Sequence, residues 1–238
     1  MKRLLVFVLT LVFILCLSSV VNADYKGEIL FRDIPWGTSF SDITNVYGEK
    51  SSITRLNVSV DKYRIKGLYE LVSWFPDKKI EWANSGITAD VTYTDIKVAG
   101  YKLGPGYGMF LYFAFLPDKE GKITEDMDNT ALFAAQYIID TGWSPDYSEI
   151  LDDLIEKLEG VYGPIYTTHK DTNSRGYEYS RIWKGTNDTY VCLRYREERN
   201  LFSTKDISII YMSQKYENKL KEAYDVLRNG KDPRKEGL

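Results

Sequence analysis

The residues able to do chemistry are few and widely spaced. The chain has one histidine, His169 in "YTTHKDT", and two cysteines, Cys16 and Cys192. A serine or cysteine nucleophile works through an adjacent base that a third group orients. With one imidazole in the chain, such a triad has a single possible base. Cys192 lies in "TYVCLRY", a strand-like stretch, and is expected to pack as a small, inert hydrophobe. His169 falls in a polar loop or strand end and reads as solvated. A structural zinc site needs several Cys or His ligands, which this composition does not provide.

Carboxylates are plentiful. The run "DKEGKITEDMD", 118 to 128, invites a calcium loop. Gly121 falls at the fourth position of a loop begun at Asp118, where an EF-hand needs glycine at the sixth. A solvated acidic hairpin loop is expected instead, with Glu125, Asp126 and Asp128 left as weak chelators. Two carboxylates can also hydrolyse sugars without histidine or metal. With 34 acidic residues, pairs arise by chance, and Asp152, Asp153, Glu156 and Glu159 fall on the polar face of one helix. The tryptophans Trp36, Trp74, Trp82, Trp143 and Trp183 are suited to a carbohydrate platform or, more simply, to closing a small core. "GPGYG" lacks the Lys-Ser/Thr and the following helix of a phosphate cradle. No catalytic, cofactor-binding or metal residue is nominated, no cofactor is expected, and the binding residues are left unassigned.

Elements must position whatever the chain does use. Residues 1–23, "MKRLLVFVLTLVFILCLSSVVNA", carry Lys2 and Arg3, an apolar core, and small residues Val21 and Ala23 before the expected cut. This is a secretory signal peptide, with an uncleaved anchor as the alternative; cleavage leaves a chain starting at Asp24 with no stable membrane span. Cys16 follows Leu15, which does not suit a lipid-modified cysteine. The net charge of −3 becomes −5 once Lys2 and Arg3 are gone, so nucleic acid is not an expected partner. With Cys192 alone remaining, no intrachain disulfide forms, and stability must come from an apolar core.

The mature chain reads as strand-rich. "TADVTYTDIKVAGYKL" alternates in part, and "MFLYFAFL", 109–116, is a continuous apolar run of the kind that has both faces covered. The intervening "GPGYG" predicts a hairpin of 95–103 with 109–116. "DTYVCLRYRE" and "DISIIYMS" are two further strands. One helix is predicted over "SPDYSEILDDLIEKLEGVYG", started by Pro145 and Asp146, with Ile150, Leu151, Leu154, Ile155 and Leu158 on one face. A second is predicted over "SQKYENKLKEAYDVLRNG", with Tyr216, Leu220, Tyr224 and Leu227 aligned.

"IPWGTSFSDITNVYG", 34–48, has the plan of a short helix. Pro35 fixes φ, Gly37 permits a reversal, Thr38 or Ser39 caps, and Asp42 sits near the third helical position. Ile43, Val46 and Tyr47 would face a sheet. The stretch ends in "VYG", as the later helix does at 161–163, and each is followed by strand-like residues with a Trp, "YELVSW" and "YEYSRIW". The expected organisation is an α+β protein of antiparallel strands with helices packed on one face. It comprises the signal peptide 1–23, unit one at 31–140, unit two at 144–230 and a charged tail at 231–238. The alternative to a repeat is two amphipathic helices that happen to end in glycine.

The stretch Gly37 to Gly48 resembles the outer-membrane assembly modules of the SmpA/OmlA type and is similar to tandem-unit proteinaceous inhibitors of β-lactamase. The likeness implies an exported helix-plus-antiparallel-sheet module that binds another protein, and it transfers no binding residue. The chain lacks the lipid-accepting cysteine and the paired cysteines of those families. The expectation is an exported, periplasmic or extracellular, non-enzymatic protein that binds a protein or cell-envelope partner. The alternatives are a carboxylate-dependent hydrolase of envelope polymers and a carbohydrate- or small-ligand-binding module. Sequence leaves the oligomeric state open.

Overall fold

The apolar and β-branched runs form strands, and their long-range pairing builds one sheet. The computed structural model describes residues 27–43, 53–57, 85–93, 97–103, 108–124, 126–141, 147–173, 176–198 and 205–230. Its strands are β1 Ile53–Asn57, β2 Gly86–Tyr93, β3 Lys97–Val98, β4 Tyr101–Lys102, β5 Met109–Phe115, β6 Thr130–Ile139, β7 Thr167–Asn173, β8 Gly176–Lys184, β9 Thr189–Glu198 and β10 Lys205–Ser213. The helices are α1, Tyr147–Tyr162, and α2, Gln214–Gly230, and a further helix begins at 40–43. The signal peptide, Val46 to Gly48, "YELVSW", Trp74, Trp82, Glu125, Trp143, Pro145, Asp146 and the charged tail lie outside the described residues.

The fold is α+β. Eight strands form an antiparallel sheet in the order β1-β2-β5-β6-β10-β9-β8-β7, and β3 with β4 forms a small second sheet. The large sheet is two meanders joined by their last strands: β6 pairs with β10 from Ile139↔Ile207 to Ala134↔Met212. β5 is buried along its whole length, as a continuous apolar run requires when both faces are covered.

The predicted hairpin of 95–103 with 109–116 does not form. β5 pairs with β2 and β6. β3 turns back on β4 through Ala99 and Gly100, at φ 54° and 93°. Two successive left-handed residues close a tight hairpin there, before the chain reaches "GPGYG".

Each face of the sheet receives its own cover. Sequence patterning places the helices on one face; α1 and α2 instead take opposite faces, the apolar residues of α1 joining one core and Leu220 of α2 the other. On the first face Leu111, Phe113, Leu193, Ile207 and Ile209 pack against α1 through Leu154, Ile155 and Leu158, and against the N-terminal segment through Ile29, Trp36, Phe40 and Ile43. On the second, Phe110, Phe133, Cys192 and Met212 pack under Leu220 of α2. A bulge supports this division. Phe113 pairs with Leu132 and Tyr112 with Ala134, so Phe133 is the extra residue and lies with Ala134 on the second face.

The helix ends follow their local chemistry. The Asp42 N–H donates to Ser39 Oγ at 3.1 Å. The Ser39 hydroxyl donates in return to Asp42 Oδ2 at 2.7 Å. This is a reciprocal cap of the kind that the spacing predicts. α1 stops at Gly163, which holds φ 77°. Its N–H donates to the Glu159 carbonyl at 2.9 Å, closing the helix through a left-handed residue.

Candidate functional site

One strained turn defines the site. Phe31 and Ile34 bridge, with the Ile34 N–H donating to the Phe31 carbonyl at 3.0 Å, and Arg32 and Asp33 between them hold φ 52° and 60°. Such a turn favours Asn-Gly, and a side chain in the left-handed region costs roughly 1–2 kcal/mol. The surroundings impose the conformation. Phe31 is 1% exposed, and its ring lies 5.0 Å from Tyr137 and 5.6 Å from Tyr211. The Trp36 indole donates to the Ile29 carbonyl at 2.7 Å, and the Ile29 N–H donates to Thr189 Oγ1 at 2.9 Å.

The turn overhangs a cleft of about 370 Å³ above the two central strands. Its floor is Tyr137 of β6 and Tyr211 of β10, Tyr162 closes it from the end of α1, and Lys97 and Val98 of β3 form the wall. Tyr137 and Tyr211 are buried and meet edge to face at 6.2 Å. Burial raises the Tyr211 hydroxyl well above its ordinary pKa, and its interaction with Tyr162 adds to the effect, so it stays protonated. Arg32, Asp33 and Lys97 are exposed at the rim and wall. Neither Asp33 nor Lys97 enters an ion pair among the described residues.

The residues that sequence singled out lie elsewhere. Cys192 is buried under α2. His169, expected in a polar loop or strand end and solvated, is the third residue of strand β7 and half-buried, because β7 pairs with β8 along Thr167↔Ile182 to Asn173↔Gly176. It stands opposite Ser180, which is fully buried and whose hydroxyl has no hydrogen-bond partner among the described residues. No hydrogen bond joins the Ser180 hydroxyl to His169 among the described residues. Asp118 accepts from the Glu120 N–H at 2.9 Å and from the Lys122 N–H at 2.8 Å. Those bonds make its loop a capped turn. Among the described residues no group of three or more His, Cys, Asp or Glu is placed to hold a metal ion. Asp153 is structural: it accepts from Tyr101 at 2.7 Å and from Lys157 at 2.6 Å, tying α1 to β4. Trp36 and Trp183 are core residues, the latter donating to the Gly163 carbonyl at 3.1 Å.

The second face carries a buried polar line that sequence reasoning also missed. Tyr112 donates to Gln136 Oε1 at 2.7 Å, and Gln136 donates to Ser208 Oγ at 3.1 Å. Arg194, 1% exposed, binds Ser208 and the carboxylate of Asp206. A buried guanidinium needs such partners to offset its lost hydration.

Sequence missed the cleft because its walls come from separate segments. The one local signal was the charged pair of "FRDI", flanked by apolar residues that both turn inward. The fold and site define an α+β protein with an aromatic-floored cleft at the centre of a continuous antiparallel sheet. No protein-family model, curated protein or solved structure matches the chain.

Proposed function

We propose that the chain is an exported, non-enzymatic binding protein that takes a small polar group of a protein or cell-envelope partner into the cleft. The observation that carries this is the cleft itself: a strained turn holds charged side chains over a tyrosine floor. Strain of this kind persists where surrounding structure imposes it and gathers at binding sites. Export rests on the pattern of residues 1–23, and the resemblance of Gly37 to Gly48 to exported binding modules agrees with it.

The volume favours a second, narrower reading, a module for a small ligand. The cleft holds about 370 Å³, a size usual for small-molecule pockets. The exposed large hydrophobic residues among the described ones, Val161 and Tyr166, make no broad apolar patch for a protein partner. Among the described residues the cleft lining includes one carboxylate, Asp33, whereas a hydrolase of the two-carboxylate kind needs a pair.

The test is a photo-crosslinking side chain placed at Lys97, and separately at exposed Glu222 on α2, in the full chain expressed in its native host. A discrete adduct at position 97 that is absent at 222 is expected. Equal or no crosslinking at both positions would overturn the cleft as the recognition site.

A further inference from the structure

We propose that the cleft binds a small zwitterion of the α-amino-acid type, with its carboxylate toward Lys97 and its ammonium toward Asp33. This rests on the reading of the cleft as a binding site. The two side chains line one cavity and are of opposite sign, and neither is in an ion pair among the described residues. A ligand that is only anionic meets the Asp33 carboxylate, and one that is only cationic meets Lys97 and Arg32. Like charges brought together at a binding surface oppose association. A ligand carrying both signs offers each of the two residues an opposite charge.

The remaining walls suit the same chemistry. Burial, with Tyr162 close by, raises the Tyr211 pKa, so the floor stays neutral and polar. Aromatic ring faces attract an ammonium. The turn fixes the Asp33 backbone in the left-handed region, so the point from which its side chain extends is set before a ligand arrives and less backbone ordering is needed on binding.

Calorimetric titration of the full mature chain with glycine, L-phenylalanine, sodium acetate and methylammonium chloride tests the assignment. At least one amino acid is expected to bind about tenfold or more tightly than acetate and methylammonium, a difference of about 1.4 kcal/mol. Lys97→Gln and Asp33→Asn should each weaken that binding by about tenfold or more with an unchanged urea midpoint. Asn suits the left-handed region, so the second variant removes charge without disturbing the turn. Acetate or methylammonium binding as tightly as the amino acids, no binding of any probe, or wild-type affinity in both variants would overturn the proposal. Crosslinking from position 97 that persists when no amino acid binds removes the zwitterion and leaves the cleft as a recognition site.

Discussion

Gly37 shows how closely single residues are constrained. Its φ is +87°, and a Cβ there would come within 2.4 Å of the Tyr216 ring, while its N–H donates to the Leu132 carbonyl at 3.0 Å. Backbone strain and a ring that must move act together. Gly121 has a similar φ, +76°, and open space around it, so it isolates the backbone contribution. Gly37→Ala is expected to cost about 3 kcal/mol and Gly121→Ala about 1 kcal/mol, the difference measuring the contact with α2. Urea denaturation of the two variants checks the order; equal losses would show that Tyr216 yields freely.

At the scale of elements, the helix begun at 40–43 depends on its cap and its buried face. Ser39→Ala removes the acceptor of the Asp42 N–H and should cost about 1 kcal/mol. Ile43 is 3% exposed. Ile43→Asp therefore buries an unpaired charge and should cost about 3 kcal/mol or more. An Ile43→Asp protein with the wild-type urea midpoint would mean that this helix is not a folding element. The contact of α1 with β4 has a pH signature. The hydrogen bond to Asp153, then burial, pushes Tyr101 up to about 12, above its ordinary 10.0. The native state therefore holds this proton more tightly than the unfolded chain. Its contribution is complete below pH 10 and is lost as pH rises toward 12. Burial first, then Glu197, raises Tyr195 in the same direction. The denaturation midpoint should fall across this window, and Tyr101→Phe should reduce the fall. An identical pH profile in the variant would assign the loss to other tyrosines.

For the whole molecule, the joint between β6 and β10 decides the behaviour. One sheet runs through both meanders, and each core spans strands of both halves. Unfolding is expected to be a single transition, with coincident midpoints by tryptophan fluorescence and far-UV circular dichroism. Residues 24–140 and 144–238 expressed separately should not fold, since each loses its central strand partner. Two folded fragments would show independent units. The halves nonetheless correspond in plan. Trp36, Phe40, Ser41, Asp42 and Ile43 match Trp143, Tyr147, Ser148, Glu149 and Ile150 in type and spacing. Phe40 packs on Phe113 of β5 and Tyr147 on Tyr195 of β9, each the third strand of its meander. These correspondences support the proposal of two related units that share one sheet.

Local pattern alone determined the α+β class, the strands β5, β8, β9 and β10, both long helices, a cap at Thr38 or Ser39 with Asp42 behind it, and the burial of Cys192, whereas β6 and β7 emerged only in the structure. Each depends on neighbours within a few residues, where periodicity and capping act. Tertiary structure decided what pairs with what. The partner of β5 is set by a turn at Ala99–Gly100 that composition did not mark, since alanine seldom adopts a left-handed φ. The helices divide between two faces, each covering one of the two alternating sets of strand side chains, which no single segment specifies. The cleft exists only after the 31–34 turn, β3, the end of α1 and the two central strands come together. Its charges look like ordinary surface residues in the sequence, because a site assembled from distant segments leaves no local period to read.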